Sequence, residues 1–176
     1  SKMMNVEFKS TIADSWLKIK PIQIGSIPIA IGTPDVYVVV QDGKNEFMRI
    51  EIFAEREESF CFSDVAIWDN WIVIGYGHRL YLVGLNDKKV LSFNLDDYYG
   101  HLYIKENFLL VASASRLFAF TSGGIIKWKS EILGIDGVIV HEVKEEIIKG
   151  DGEWDPPDGW ESFEVSTTDG KKIGSK

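Results

Sequence analysis

The residues best equipped for chemistry fall in one short stretch, Asp151-Gly152-Glu153-Trp154-Asp155-Pro156-Pro157-Asp158-Gly159-Trp160-Glu161. Between Glu142 and Glu164 stand nine acids against Lys144 and Lys149, a local charge of −7 in a chain whose net charge is −8. A charge so unevenly placed marks an interaction segment, the alternative being a solubilising loop between two strands. Trp154 and Trp160 lie inside it. Aromatic rings supply area to bury and carboxylates speed encounter, so the pairing suits a basic protein partner. The residues expected to carry that contact are Asp151, Glu153, Trp154, Asp155, Asp158, Trp160 and Glu161.

Other chemistries find less in the chain. Asp151, Glu153 and Asp155 match the first, third and fifth positions of a calcium loop, but Pro156 stands where the turn glycine belongs and Ser162 where a bidentate glutamate belongs. His78, His101 and His141 are too scattered for a zinc site. Ser113 and Ser115 flank Ala114 without the glycines of a nucleophile elbow, and read as surface or turn serines. Carboxylates are plentiful, yet nothing selects a pair for glycoside cleavage. Gly123-Gly124 is a hairpin turn with no helix behind it to cradle a phosphate. Cys61, alone in Phe60-Cys61-Phe62, reads as a buried apolar residue. No catalytic residue, cofactor or metal ligand is assigned.

The elements that must position the acidic stretch are written twice in the sequence. Asn70-Trp71-Ile72-Val73-Ile74 and Asn107-Phe108-Leu109-Leu110-Val111 are offset by 37 residues, as are Arg79-Leu80 and Arg116-Leu117. A period near about 40 residues, filled with short strands, is the signature of propeller blades. The first copy places strands at 65–68, 71–76, 80–84 and 90–94; the second at 102–105, 108–113, 117–120 and 125–129. Trp71 and Phe108 then occupy matching core positions, and Arg79 and Arg116 are turn residues pairing with a nearby carboxylate. A third, interrupted copy begins near Gly137, takes 145–149 as its second strand, carries an insert over 150–160, resumes at 162–166, turns at 168–172 and starts a last strand at Ile173.

Ahead of the repeats, Val36–Val40 and Phe47–Phe53 form a hairpin about Asp42-Gly43. Residues 16–20, 22–24 and 27–31 keep a beat of two; Pro21 ends the first, and Pro28 makes the last an edge strand at best. A short helical turn over 13–16 has no apolar stripe to extend it. Residues 54–59 read as a solvated connector. The expectation is an all-β chain, a single β-rich domain over 1–176, with strands and a hairpin over 4–58 and blade-like repeats over 64–176. Its antiparallel sheets make a partial or reduced β-propeller-like repeat, with the N-terminal strands covering an exposed face.

Composition agrees with a soluble globular chain. The 176 residues are 45% hydrophobic and 26% charged, and the 12% aromatic content, with six Trp and ten Phe, favours strands. The net charge of −8 repels nucleic-acid phosphates and suits a basic partner. No apolar run reaches the roughly 20 residues that span a bilayer. Ser1-Lys2-Met3-Met4-Asn5 carries no secretion segment, so a cytoplasmic location is expected and no membrane partner.

The repeats over 64–176 resemble pyrroloquinoline-quinone-enzyme-like and WD40-like propeller blades. The run Gly152 to Trp160, followed by a strand and Thr168-Asp169-Gly170-Lys171, resembles small bacterial proteins of the immunity class. That resemblance implies a non-enzymatic protein occluding the cationic active site of a nuclease-like toxin, with the toxin's C-terminal domain as the partner. The reading beside it is a propeller-type interaction scaffold with no toxin partner. The Trp-docking ring of quinone enzymes is absent, and Trp68-Asp69 and Gly77-His78 fall at the wrong places for WD40 blades.

Overall fold

The computed structural model describes residues 3–55, 62–157 and 159–174. Among them, β-branched and aromatic runs form fifteen strands in four sheets, with one 3₁₀ turn over Asp14–Lys18. Cys61, connector residues 56–59 and Asp158 lie outside the described residues. The chain packs as two compact units: Ser1–Glu58 with Val65–Ile74 and Tyr81–Leu91, and Ser59–Asp64 with Gly75–Leu80 and Ser92–Lys176.

The N-terminal strands build a sheet of their own. It comprises β1 (Met4–Lys9), β2 (Ile22–Gly25), β3 (Val36–Asp42) and β4 (Asn45–Phe53), in the order β1-β3-β4-β2. β3 and β4 are the expected hairpin, turning at Gly43 with φ of 65°, a conformation glycine adopts without strain. β2 pairs parallel to β4, the exception to the antiparallel pattern. Val38, Val40, Ile50 and Ile52 are buried there, and Arg49 is buried with them. Arg49 is held by Glu51 at 3.0 Å and by the Ile19 carbonyl at 2.7 Å.

Two readings of this region are corrected. Residues 16–20 are not a strand: the Trp16 N–H donates to the Ala13 carbonyl and the Ile19 N–H to Trp16, closing a 3₁₀ turn that buries Trp16. Residues 27–31 are not a strand either. β2 ends at Gly25, where φ of 94° turns the backbone away, Pro28 has no N–H to pair, and Ile29 and Ile31 are fully exposed.

The repeated stretch gives two further sheets of one plan. The second sheet has β5 (Asp64–Trp68), β6 (Trp71–Tyr76), β7 (Arg79–Gly84) and β8 (Val90–Asn94) in sequential order. The third has β9 (Tyr99–Ile104), β10 (Leu109–Ser113), β11 (Leu117–Phe120) and β12 (Ile126–Lys129), again in order. β10 and β11 are buried at every position, while β8 and β12 are largely exposed. The connections repeat as well. The Leu95 and Tyr99 N–H groups donate to His78 and Gly77 carbonyls, and Leu133 and Gly137 donate to Ser115 and Ala114. The same backbone groups are thus satisfied one repeat later, which is what a duplicated unit requires.

The fourth sheet has three strands, β13 (Val138–Lys144), β14 (Ile147–Glu153) and β15 (Trp160–Ser166), in that order. Leu110, Leu117, Leu133, Val140, Ile148 and Phe163 form one core between it and the third sheet. Glu145 and Glu146, expected in a strand, are instead the turn between β13 and β14, at φ of 54° and 67°. The insert shrinks accordingly. Residues 150–153 belong to β14 and Trp160 to β15, leaving 154–157 and 159 outside the strands. After β15 the chain turns at Gly170, packed on Trp128, and Lys172 makes a single bridge to Val165.

Candidate binding site on the last sheet

Strand alternation sorts the acidic stretch. β14 and β15 pair Gly150 with Phe163, Asp151 with Ser162, Gly152 with Glu161 and Glu153 with Trp160. Paired residues share a face. Asp151, Ser162, Glu153 and Trp160 therefore lie on one side, and Glu161 lies on the side of Phe163. The expected contact residues do not form one flat patch.

Each keeps distinct company. Asp151 accepts from Ser162 Oγ at 3.0 Å and lies 2.7 Å from His141 Nε2. His141 reaches it because a bulge between Val140 and Glu142 adds one residue to β13 and re-aims the side chain. That hydrogen bond from His141 holds the Asp151 carboxyl below its ordinary value of 3.8, against a smaller opposing effect of burial. Asp155 and Glu161 are exposed. Trp154 is half-buried, its N–H donating to the Gly159 carbonyl across the loop. Glu153, expected on the contact surface, is buried at 6% exposure, so it is corrected to a wall residue.

Trp160 is 41% exposed, and a Cβ placed on Gly137 would lie 3.0 Å from the edge of its ring, so glycine leaves room for the indole. Below it opens a cavity of about 350 Å³ lined by Phe62, Tyr98, His101, Asp136, Glu153 and Trp160 among others. The Tyr98 hydroxyl donates to Asp136 Oδ1 at 2.5 Å. The Phe62 and His101 rings lie 5.0 Å apart. Four rings and two carboxylates in one wall match a cationic side chain, attracted by ring faces and paired with carboxylate. Sequence reasoning found Glu153 and Trp160 here but missed Tyr98, His101, Asp136 and Phe62. Tyr98 and Asp136 stand 38 residues apart, each two residues or fewer ahead of the first strand of its sheet, and that recurrence was the available signal.

The remaining candidates resolve structurally. Ser113 ends β10 and Ser115 stands in the bend after it, both buried: Ser113 Oγ accepts from the Ser115 and Arg116 N–H groups, both at 3.2 Å. Arg116 Nε lies 3.6 Å from Asp96, and Arg79 reaches Ser92 Oγ at 3.4 Å. Among the described residues, no group of three or more His, Cys, Asp or Glu is placed to hold a metal, and no helix is long and apolar enough to cross a membrane.

No protein-family model matches the chain, and neither does any curated protein sequence. Among solved structures the chain is similar to the one described as "KlHsv2 with loop 6CD replaced by a Gly-Ser linker", with a TM-score of 0.51 and 11% identity. The match covers 77% of this chain and 44% of that one, so the chain spans less than half its neighbour's length. At that identity the likeness is one of fold: an all-β chain whose antiparallel sheets follow a propeller-like repeat.

Proposed function

We propose that this chain is a non-enzymatic binding protein for a basic partner protein, with Trp160 and the cavity beneath it as the anchor. The carrying observation is the exposed indole over a wall of rings and carboxylates, on a sheet with further exposed acids at Asp155, Glu161 and Glu164. An Arg or Lys of the partner enters that cavity, while Asp155, Glu161 and neighbouring carboxylates steer its approach. The propeller-like fold supports a role in protein interaction. In its finer form the reading is the immunity function: occlusion of the cationic cleft of a nuclease-like toxin, in the cytoplasm of a bacterium.

The test is a partner captured from the source organism, identified, purified and rebound to Trp160→Ala. Central aromatic anchors cost about 2 kcal/mol or more on truncation, so binding should weaken roughly thirtyfold or more, mostly through faster dissociation. An unchanged affinity removes this anchor. If the partner is a nuclease whose activity the intact chain does not inhibit, the scaffold reading replaces the immunity one.

A further inference from the structure

The walls of the cavity below Trp160 all belong to one unit of the chain, and most of their backbone acceptors are in use. The Tyr98 carbonyl accepts from the Ala114 N–H and the Ala114 carbonyl from Gly137, both at 2.8 Å. The Gly137 carbonyl accepts from Glu153 at 2.9 Å, and the Glu153 carbonyl from Ile135 at 2.8 Å. Ser113 Oγ is engaged with the bend that follows it, through the Ser115 and Arg116 N–H groups. An entering donor therefore meets the carboxylates of Asp136 and Glu153 and the His101 ring, on separate elements, and Asp136 Oδ1 already receives the Tyr98 hydroxyl. Much of the remaining wall is carbon: the rings of Trp160, Tyr98 and Phe62, with Val138 and Ile139.

We infer that this cavity takes a quaternary ammonium, carried by the partner as a trimethylated lysine, in preference to a bare lysine or arginine. The inference rests on the basic-partner reading and names the cation within it. A lysine ammonium brings three N–H donors and a guanidinium five, and donors left unmet in a buried site cost binding. The bare ammonium is also a compact, strongly hydrated charge that must shed its water to enter. A trimethylated head has no donor to place and is weakly hydrated. Its methyl groups bury against the aliphatic wall, and its spread charge is drawn by ring faces and by the two carboxylates. The space, about 350 Å³, lies at the small end of ligand sites, which a swollen head fills better than a bare one.

The probes are the N-acetyl methylamides of lysine and trimethyllysine, the uncharged analogue of the second with carbon in place of nitrogen, and choline. Binding to the intact chain is read by NMR from the Trp160 indole N–H, which a Trp160→Phe spectrum identifies among the six Trp. The trimethyllysine amide should shift that resonance saturably at millimolar concentration. It should bind about tenfold or more tightly than both the lysine amide and the carbon analogue, as a desolvated cation–ring attraction supplies. Asp136→Asn, which keeps an acceptor for Tyr98 and removes the charge, should weaken it. Lysine binding as tightly as trimethyllysine, with both weakened by Asp136→Asn, overturns the preference and leaves the basic-partner reading standing. A carbon analogue binding as tightly as trimethyllysine shows a site blind to charge and overturns both. Choline binding as tightly as the trimethyllysine amide assigns the site to a free quaternary ammonium and overturns the part given to the partner's side chain. No saturable shift with any probe overturns the inference, and the basic-partner reading then stands or falls with the captured partner and Trp160→Ala.

Discussion

Tyr99 illustrates how one residue fixes a local structure. Its side chain is fully buried and its hydroxyl donates to Asp64 Oδ2 at 2.6 Å. Its ring lies so close to Gly75 that a Cβ there would sit 2.2 Å from Cε1. Burial, then the hydrogen bond to Asp64, raises the Tyr99 hydroxyl far above its ordinary value of 10.0. Tyr99→Phe keeps the ring and removes the bond to a carboxylate, so stability in urea should fall by about 1–3 kcal/mol; no change would show the bond to be exchanged for water at no cost. Asp151 carries the opposite sign. Its carboxyl is lowered by His141, so the native state holds its charge where the unfolded chain takes up a proton. The stability it contributes is present above its ordinary value of 3.8 and is lost as pH falls through the lower native value. His141→Ala should raise the Asp151 midpoint toward 3.8 when followed by carboxyl NMR, and should flatten the loss of stability below that pH. An unmoved midpoint would assign the shift to Ser162 instead.

At the scale of elements, the strands that periodicity and β-branching specify most strongly were legible. β6, β8 and β11 fall at the positions their residues predict, because each is an apolar or alternating run closed by turn residues at both ends. Legibility failed where a backbone preference was overridden. Glu145-Glu146 reads as strand, since neither residue favours positive φ, yet both adopt it in a two-residue hairpin turn. The error moved β14 by two residues and made strand positions 150–153 look like an insert. The bulge at His141 left no trace in the alternation, so the pairing that lowers Asp151 was equally unreadable. The turn makes a prediction of its own. Left-handed backbone costs ordinary residues about 1–2 kcal/mol each, so Glu145→Asn/Glu146→Gly should stabilise the protein by about 1–2 kcal/mol. Urea unfolding reads this directly, and a loss of stability would mean that the glutamate side chains hold the turn by contacts of their own.

For the whole molecule, the question is whether a charge of −8 acts as a diffuse field or as a located surface. The seven-charge excess between Glu142 and Glu164 argues for the second, although the strands split those acids between two faces of one sheet. Ionic strength separates the cases. At about 0.01 M salt the screening length is about 30 Å, comparable to a small domain, so any carboxylate contributes to steering; at about 0.15 M it is about 8 Å, and only charges beside the contact count. Two triple variants of equal net charge then give different outcomes. Asp155→Asn/Glu161→Gln/Glu164→Gln removes exposed acids of β15 and the loop before it, while Asp14→Asn/Glu131→Gln/Asp169→Asn removes three exposed acids outside that loop and strand. Both should slow association with the proposed basic partner at low salt. At physiological salt the first set should slow it by about tenfold and the second by less than about twofold, since near charges govern encounter there. Equal slowing by the two sets at both salts would mean that the molecule attracts its partner by total charge alone, and the acids on the last sheet would then be there for solubility, with Trp160 left to supply the specificity.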